Sequence, residues 1–252
     1  MNEASKKLAR AVLRRFGYAG VDLRKDVGTG LLLPGHVSNL LKRMAINCVI
    51  DVGANRGHYA AMLRHYGYQG RIVSIEPLPE VYEELTRVAS PAQDWRTLNV
   101  ALGASEMVKP FNVYSSRVLS SFLAPVNNIG EILADSEVVA VRDVRMTTLD
   151  RIFPEITKGI ATPRVFLKLD TQGYDLEVVR GATQSLPSIV AMQSEISIIP
   201  LYEGMPDYAT ALARLREVGY LHTGFFGVVG HRTMSRTIEF DVVFVRDVSA
   251  AV

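Results

Sequence analysis

The sequence predicts a doubly wound α/β domain on a mostly parallel sheet, and three observations carry that expectation. Short apolar runs of four or five residues, each ending in a turn, recur along the chain. Segments of helical period separate them. Strands buried on both faces read as continuous apolar runs, and helices alternating with them cover both faces of a parallel sheet. The chain also has the bulk for one large core, with 252 residues of which 48% are hydrophobic.

Composition excludes several classes. With 28 basic and 26 acidic residues the net charge is +2, too slight an excess for a polyanion-binding surface, so no nucleic-acid partner is expected. The single cysteine, Cys48, allows neither an internal disulfide nor a multi-cysteine zinc site. It leads an apolar run and reads as buried packing. No stretch reaches the roughly 18 apolar residues of a membrane span, and the N-terminus lacks a signal-like apolar core. A soluble cytoplasmic protein is expected.

The elements follow in order. Residues 3–18 have helical spacing, with Leu8, Val12, Leu13 and Phe16 on one side and Lys6, Lys7, Arg10, Arg14 and Arg15 on the other. Such a helix either packs on the body with a solvated basic face or makes a peripheral membrane contact. Residues 19–35 read as a connection, and a helix follows from Val37 to Met44. Together they form an N-terminal helical extension, residues 1–45, ahead of the main domain, residues 46–252. Cys48–Val52 is the first strand, His58–Tyr66 a helix, Arg71–Ile75 the second strand, Glu80–Val88 a helix and Thr97–Val100 the third strand. Residues 108–114 and 138–148 alternate apolar with polar, which predicts a small antiparallel insertion at about 106–148. Val165–Leu169 is the fourth core strand, Asp175–Ser185 a helix, Ile189–Met192 the fifth strand and Tyr208–Val218 a helix. Residues 220–229 and Phe240–Val245 close the chain as strands.

In such sheets ligands bind beyond the carboxyl ends of the strands. The first of these ends carries Asp51-Val52-Gly53-Ala54-Asn55-Arg56-Gly57. Gly53 and Gly57 permit a tight turn and a close backbone approach, although a plain strand-to-helix turn also favours Gly and Asn. A dinucleotide site would require G-x-G-x-x-G, and here Asn55 and His58 hold the second and third glycine positions. An acid at Asp51 repels a pyrophosphate but suits a ligand carrying ammonium and sulfonium charges, as S-adenosylmethionine does. Glu76, 25 residues after Asp51, can accept both hydroxyls of a ribose, with Pro77 helping to aim it. Ala101, read as the end of the third strand, offers a small side chain and free backbone groups to an adenine edge.

The ordered set of motifs resembles the FkbM-type methyltransferases from about Cys48 to Arg246. The resemblance rests on Asp51-Val52-Gly53-Ala54-Asn55-Arg56-Gly57, Glu76-Pro77, Ala101-Leu102-Gly103, Thr148-Leu149-Asp150 and Lys168-Leu169-Asp170-Thr171-Gln172-Gly173-Tyr174-Asp175. Gly181-Ala182, Glu195 and Asp241-Val242-Val243-Phe244-Val245-Arg246 complete it. The family usually has Glu at the positions of Gln172 and Asp175. The resemblance implies a seven-stranded Rossmann-like sheet, S-adenosylmethionine as cofactor, and O-methylation, often of sugar hydroxyls on natural products or glycolipids. The expected acceptor is a small molecule or glycoconjugate.

Methyl transfer to a hydroxyl needs an aligned acceptor oxygen and a route for its proton, through a general base or a divalent metal. Asp170, beyond the fourth strand, is read as a cofactor-binding and catalytic group, or else as a helix N-cap. Lys168, two residues earlier, points to the same side and can pair with an acid. Glu195 is a second candidate catalytic residue or an exposed loop acid, and His231 a third candidate or a solvated loop histidine. Adjacent parallel strands lie about 4.8 Å apart, so Asp170 and Glu195, with Asp241 or waters, are expected to converge on Mg²⁺. Two rival functions remain. A nicotinamide-dependent dehydrogenase is opposed by the missing glycines, whereas a non-catalytic donor-binding module is compatible with Gln172.

Overall fold

The computed structural model describes residues 32–90, 94–230 and 236–247. The basic segment 3–18 and His231 lie outside these described residues. The first described helix, α1 (Leu33–Arg43), starts earlier than Val37 because Pro34 sits in its first turn, where the missing N–H has no intrahelical partner to lose. Its buried residues Val37, Leu40 and Leu41 pack with Val49, Ile72, Phe166, Ala191 and Val243. This helix therefore covers one face of the sheet.

The chain then runs β1 (Cys48–Val52), α2 (His58–His65), β2 (Arg71–Ile75), α3 (Pro79–Ala89) and β3 (Trp95–Leu98). A smaller unit follows, with β4 (Ala101–Leu102), β5 (Met107–Tyr114), the single-turn α4 (Ile129–Ile132), β6 (Val138–Thr147) and α5 (Leu149–Ile156). The main sheet resumes with β7 (Val165–Leu169), α6 (Asp175–Arg180), β8 (Ile189–Ser197), α7 (Tyr208–Glu217), β9 (Tyr220–Gly230) and β10 (Thr237–Arg246).

Seven strands lie in the order β3-β2-β1-β7-β8-β10-β9. The first five are mutually parallel, and β10 runs antiparallel to both β8 and β9. One apolar cluster joins the sheet to α1 and α2. The other joins it to Leu149 and Ile156 of α5, Val178 and Val179 of α6, and Ala211 and Leu215 of α7. The chain winds outward from β1 through β2 to β3, then crosses to β7 on the other side of β1. That reversal opens a crevice at the carboxyl ends of β1 and β7.

Several elements differ from expectation. The third strand stops at Leu98, and Ala101 instead opens β4, paired in parallel with Met146 in a second sheet ordered β4-β6-β5. The insertion therefore mixes a parallel pair with the antiparallel β5–β6 pair. Helix α6 ends at Arg180, since Gly181 packs against the Gly103 carbonyl and a Cβ there would lie 2.0 Å from that oxygen. Strand β8 extends to Ser197, which places Glu195 within it. Helix α5 has Pro154 inside it, a residue that masks helical pattern in sequence, and Thr148 caps its start by accepting from the Arg151 N–H at 3.1 Å. Among the described residues no helix is long and apolar enough to cross a membrane.

Candidate functional site

A cavity of about 270 Å³ lies at the carboxyl ends of β1, β2 and β7, where strand order reverses. One part of its lining is apolar, with Ile75, Val100, Ala101, Leu102, Phe111 and Phe122. Glu76, Asp170, Glu195 and Glu239 supply the acids that reach it, and Arg117 the one cation among the described lining residues.

The β1 loop is shaped by close backbone contact. Gly53 has φ +74°, and a Cβ on it would fall 1.9 Å from the Asp170 carbonyl oxygen. Only glycine lets the β1 and β7 loops close together, and the Asp170 N–H then reaches the Val52 carbonyl at 3.1 Å. Asn55, also left-handed at φ +47°, donates its N–H to Glu76 Oε2 at 3.0 Å, while the Leu78 N–H donates to Oε1 at 3.0 Å. The Asn99 amide supports the same turn by donating to the carbonyls of Glu76 and Pro77 at 2.9 and 3.0 Å. Glu76 is thus fixed on the cavity wall, and each carboxylate oxygen retains acceptor capacity for a ligand. Burial pushes its carboxyl up to about 7, against the pull of the two backbone N–H groups.

Gly53, Asn55, Glu76, Pro77, Ala101, Asp170 and Glu195 all line this cavity, whereas Asp51, Ala54, Gly57 and Asp241 are not part of its lining. Asp51 is fully buried. It stands in register between Ser74 of β2 and Lys168 of β7, with the Lys168 ammonium 3.3 Å from Oδ1 and the Ser74 hydroxyl donating to Oδ2 at 3.4 Å. It is an internal ion-pair partner and does not face the cavity as its strand-end position suggested. Ala54 is buried with its N–H on the Ile75 carbonyl at 3.0 Å. Gly57, at φ +80°, starts α2, and a Cβ on it would press on Leu85 at 2.9 Å and Trp95 at 3.0 Å. Its requirement is packing.

The acidic end is one hydrogen-bonded assembly. Lys168 is buried, yet its ammonium lies 3.0 Å from Asp170 Oδ2 as well as near Asp51. Burial disfavours its charge, but these two carboxylates outweigh that and hold it protonated. Burial would likewise raise Asp170, but the Lys168 charge and its hydrogen bond bring the carboxyl below the usual range. The Gln172 amide nitrogen donates to Asp170 Oδ1 at 3.1 Å and to Glu195 Oε2 at 2.6 Å. Burial, then the negative charges of Asp170, Glu239 and Asp241, push the Glu195 carboxyl well up. Asp170 does not cap α6, whose N-cap residue is Tyr174.

Expectation missed Glu239. It is buried, lines the cavity, and accepts from the Ser197 hydroxyl at 2.9 Å. Burial raises its carboxyl to about 7. Its signal in the sequence was an acid inside the apolar run of a strand, two residues before Asp241. Asp241 itself faces Glu195 across β8 and β10, but its Oδ1 accepts from the Gln193 amide at 2.8 Å.

The donor set does not fit the expected Mg²⁺ site. Both Asp170 oxygens are engaged, one by an ammonium and one by an amide, and the same amide occupies Glu195. Among the described residues no three His, Cys, Asp or Glu side chains are grouped to hold a metal ion.

The insertion roofs the cavity. Asn112 and Ser121 exchange backbone hydrogen bonds at 2.8 and 3.1 Å, and the Ser121 hydroxyl donates to the Gln172 carbonyl at 2.8 Å. The turn between them brings Arg117, Leu119 and Ser120 to the cavity wall. Tyr202 is buried, with its hydroxyl 2.8 Å from the Leu119 carbonyl and 2.7 Å from Gln172 Oε1.

A family model described as the methyltransferase FkbM domain matches residues 51–221. No curated protein matches the chain. Solved structures similar to it include an FkbM methyltransferase from Methylobacillus flagellatus KT, at 15% identity and TM-score 0.49, covering 78% of this chain and 43% of that one. Fibrillarin from Aeropyrum pernix with natively bound S-adenosyl-L-methionine has 11% identity and TM-score 0.42, covering 79% of this chain and 66% of that one. The 1,6-didemethyltoxoflavin-N1-methyltransferase of Burkholderia thailandensis, with bound S-adenosylhomocysteine, has 11% identity and TM-score 0.43, covering 96% of this chain and 90% of that one. The chain spans less than half the length of the first of these and about two thirds of the second.

Proposed function

Because the chain belongs to the family of methyltransferases defined by the FkbM domain, we propose that it transfers a methyl group from S-adenosylmethionine to a hydroxyl of a sugar. The acceptor belongs to a glycolipid, a polysaccharide or a glycosylated natural product. The observation that carries this reading is the division of one cavity into an apolar part beside Glu76 and an acidic part around Asp170. In this reading Val100, Ala101 and Leu102 flank the adenine and Glu76 accepts from the ribose hydroxyls. S-Adenosylmethionine supplies the methyl group on a sulfonium. Asp170, kept ionised by Lys168, offers negative charge to the donor's cationic portion. It is a weak base for the same reason, since both its oxygens are already engaged.

A sugar hydroxyl is a poor nucleophile at neutral pH, and a positioned base contributes about 10²–10⁴-fold in rate. Glu239 suits that task. It opens on the cavity, its hydroxyl partner Ser197 orients it, and its carboxyl, raised to about 7 by burial, is matched to neutral pH. Incubation with methyl-labelled donor and a panel of sugars and glycolipids tests the proposal. Label is expected in a hydroxyl-bearing acceptor, with loss of transfer in Glu239→Gln. Transfer only to nitrogen or carbon acceptors would overturn the O-methylation assignment.

A further inference from the structure

Gln172 is held from three sides. Its backbone is left-handed at φ +52°, followed by Gly173 at φ +84°, a conformation that an L-residue adopts only when its surroundings enforce it. Here the Ser121 hydroxyl donates to its carbonyl at 2.8 Å, and the Tyr202 hydroxyl, shared with the Leu119 carbonyl, stands 2.7 Å from Oε1. The two hydrogens on Nε2 then go to two different acids, Asp170 at 3.1 Å and Glu195 at 2.6 Å. An amide has two donors on one nitrogen, and carboxylates accept without donating when ionised. The reverse orientation would set Oε1 against the ionised Asp170, so that carboxylate selects the orientation observed.

We propose that Gln172 is a positioning residue standing where a divalent cation would otherwise sit, tying Asp170 to Glu195 so that the acceptor end of the cavity works without metal. An ionised Asp170 beside Glu195, whose own carboxyl is pushed up by that charge, needs a compensating charge and a donor in this half-buried site. Gln172 supplies the donor, and Lys168, 3.0 Å from the other Asp170 oxygen, supplies the charge. A divalent ion at this point would have to displace the amide and sit beside that ammonium. The inference concerns the acceptor end of the site proposed for methyl transfer and rests on that reading.

Replacing the amide tests it. Gln172→Glu puts an acceptor oxygen where the second donor was, so three carboxylates meet and a cation becomes the natural compensation. Chelator-treated full-length protein saturated with S-adenosylhomocysteine is titrated with Mn²⁺ by calorimetry and electron paramagnetic resonance. Wild type is expected to take up no Mn²⁺ at this site. Gln172→Glu is expected to bind one ion at least about tenfold more tightly, and adding Asp170→Asn should abolish the gain. If Gln172→Glu does not fold, Gln172→Ala, which removes the amide and leaves both acids, is expected to show the same gain more weakly. Wild-type Mn²⁺ binding that Asp170→Asn abolishes would overturn the inference, as would a folded variant with no gain. Failure of wild type to bind S-adenosylhomocysteine at all would instead count against the methyl-transfer reading, because Mn²⁺ uptake without that ligand reads the acid pair alone.

Discussion

A methyl group at position 53 would lie 1.9 Å from the Asp170 carbonyl oxygen, and the backbone there is left-handed at φ +74°. Both penalties act on one residue, so Gly53→Ala is expected to cost about 1–3 kcal/mol of stability and to push the β1 and β7 loops apart. Urea unfolding and S-adenosylhomocysteine titration check this together: stability should fall and affinity with it, while an unchanged affinity would detach the loop contact from the site. Gly57 looks equivalent in sequence, yet its constraint comes from Leu85 and Trp95. Asp51 shows the same ambiguity. An acid beside glycines at a strand end was legible as important, but its job depends on Lys168, which lies 117 positions away in the sequence and beside it in the sheet. Strand register is non-local information, so the sequence could place Asp51 at the site's edge without revealing that it faces inward.

Among the elements, the strand-to-helix connections carry much of the organisation. Asp150, in the first turn of α5, accepts from the Gln184 and Ser185 N–H groups at 2.9 and 2.8 Å and from the Thr183 and Ser185 hydroxyls. It thereby pins the turn after α6 to the start of α5. Burial works against the charge, but these donors lower the carboxyl below its ordinary value. The sign follows: a depressed carboxyl adds stability that is present above its unfolded value near 3.8 and is lost as pH falls through the folded one. Asp150→Ala is expected to destabilise by about 2–3 kcal/mol near neutral pH. Affinity for S-adenosylhomocysteine should not change, because Asp150 lies outside the cavity lining. A melt equal to wild type would remove it as a clamp. Thr148-Leu149-Asp150 was legible as a motif, but its structural use was not. Its partners lie more than thirty residues on, and Pro154 hid the helix that presents it.

For the molecule as a whole, the alternation of apolar runs with helical segments was enough to read the parallel sheet, since β1, β2, β7 and β8 are buried runs that sequence periodicity exposes. The switch point followed from that reading, and with it the place of Gly53, Glu76 and Asp170. The acidic end was less legible. Glu195 looked like a loop acid because β8 continues five residues past Met192, and Gln172 looked like a lost charge when it is a bridge. In the proposed function this cavity binds the methyl donor with Glu76 on its ribose. Glu76 has its carboxyl raised to about 7 by burial, so ionising it costs the free protein stability that is intact below its ordinary value near 4.5 and given up as pH rises through about 7. Ribose hydroxyls donate to the ionised form, so donor binding should release a proton near neutral pH and tighten as pH rises. Calorimetric titration of S-adenosylhomocysteine into wild type and Glu76→Ala at pH values bracketing 7 measures this directly. One site per chain is expected, with affinity rising with pH in wild type and weaker, pH-independent binding in Glu76→Ala. No binding by wild type, or equal affinity and equal pH dependence in the variant, would contradict this assignment.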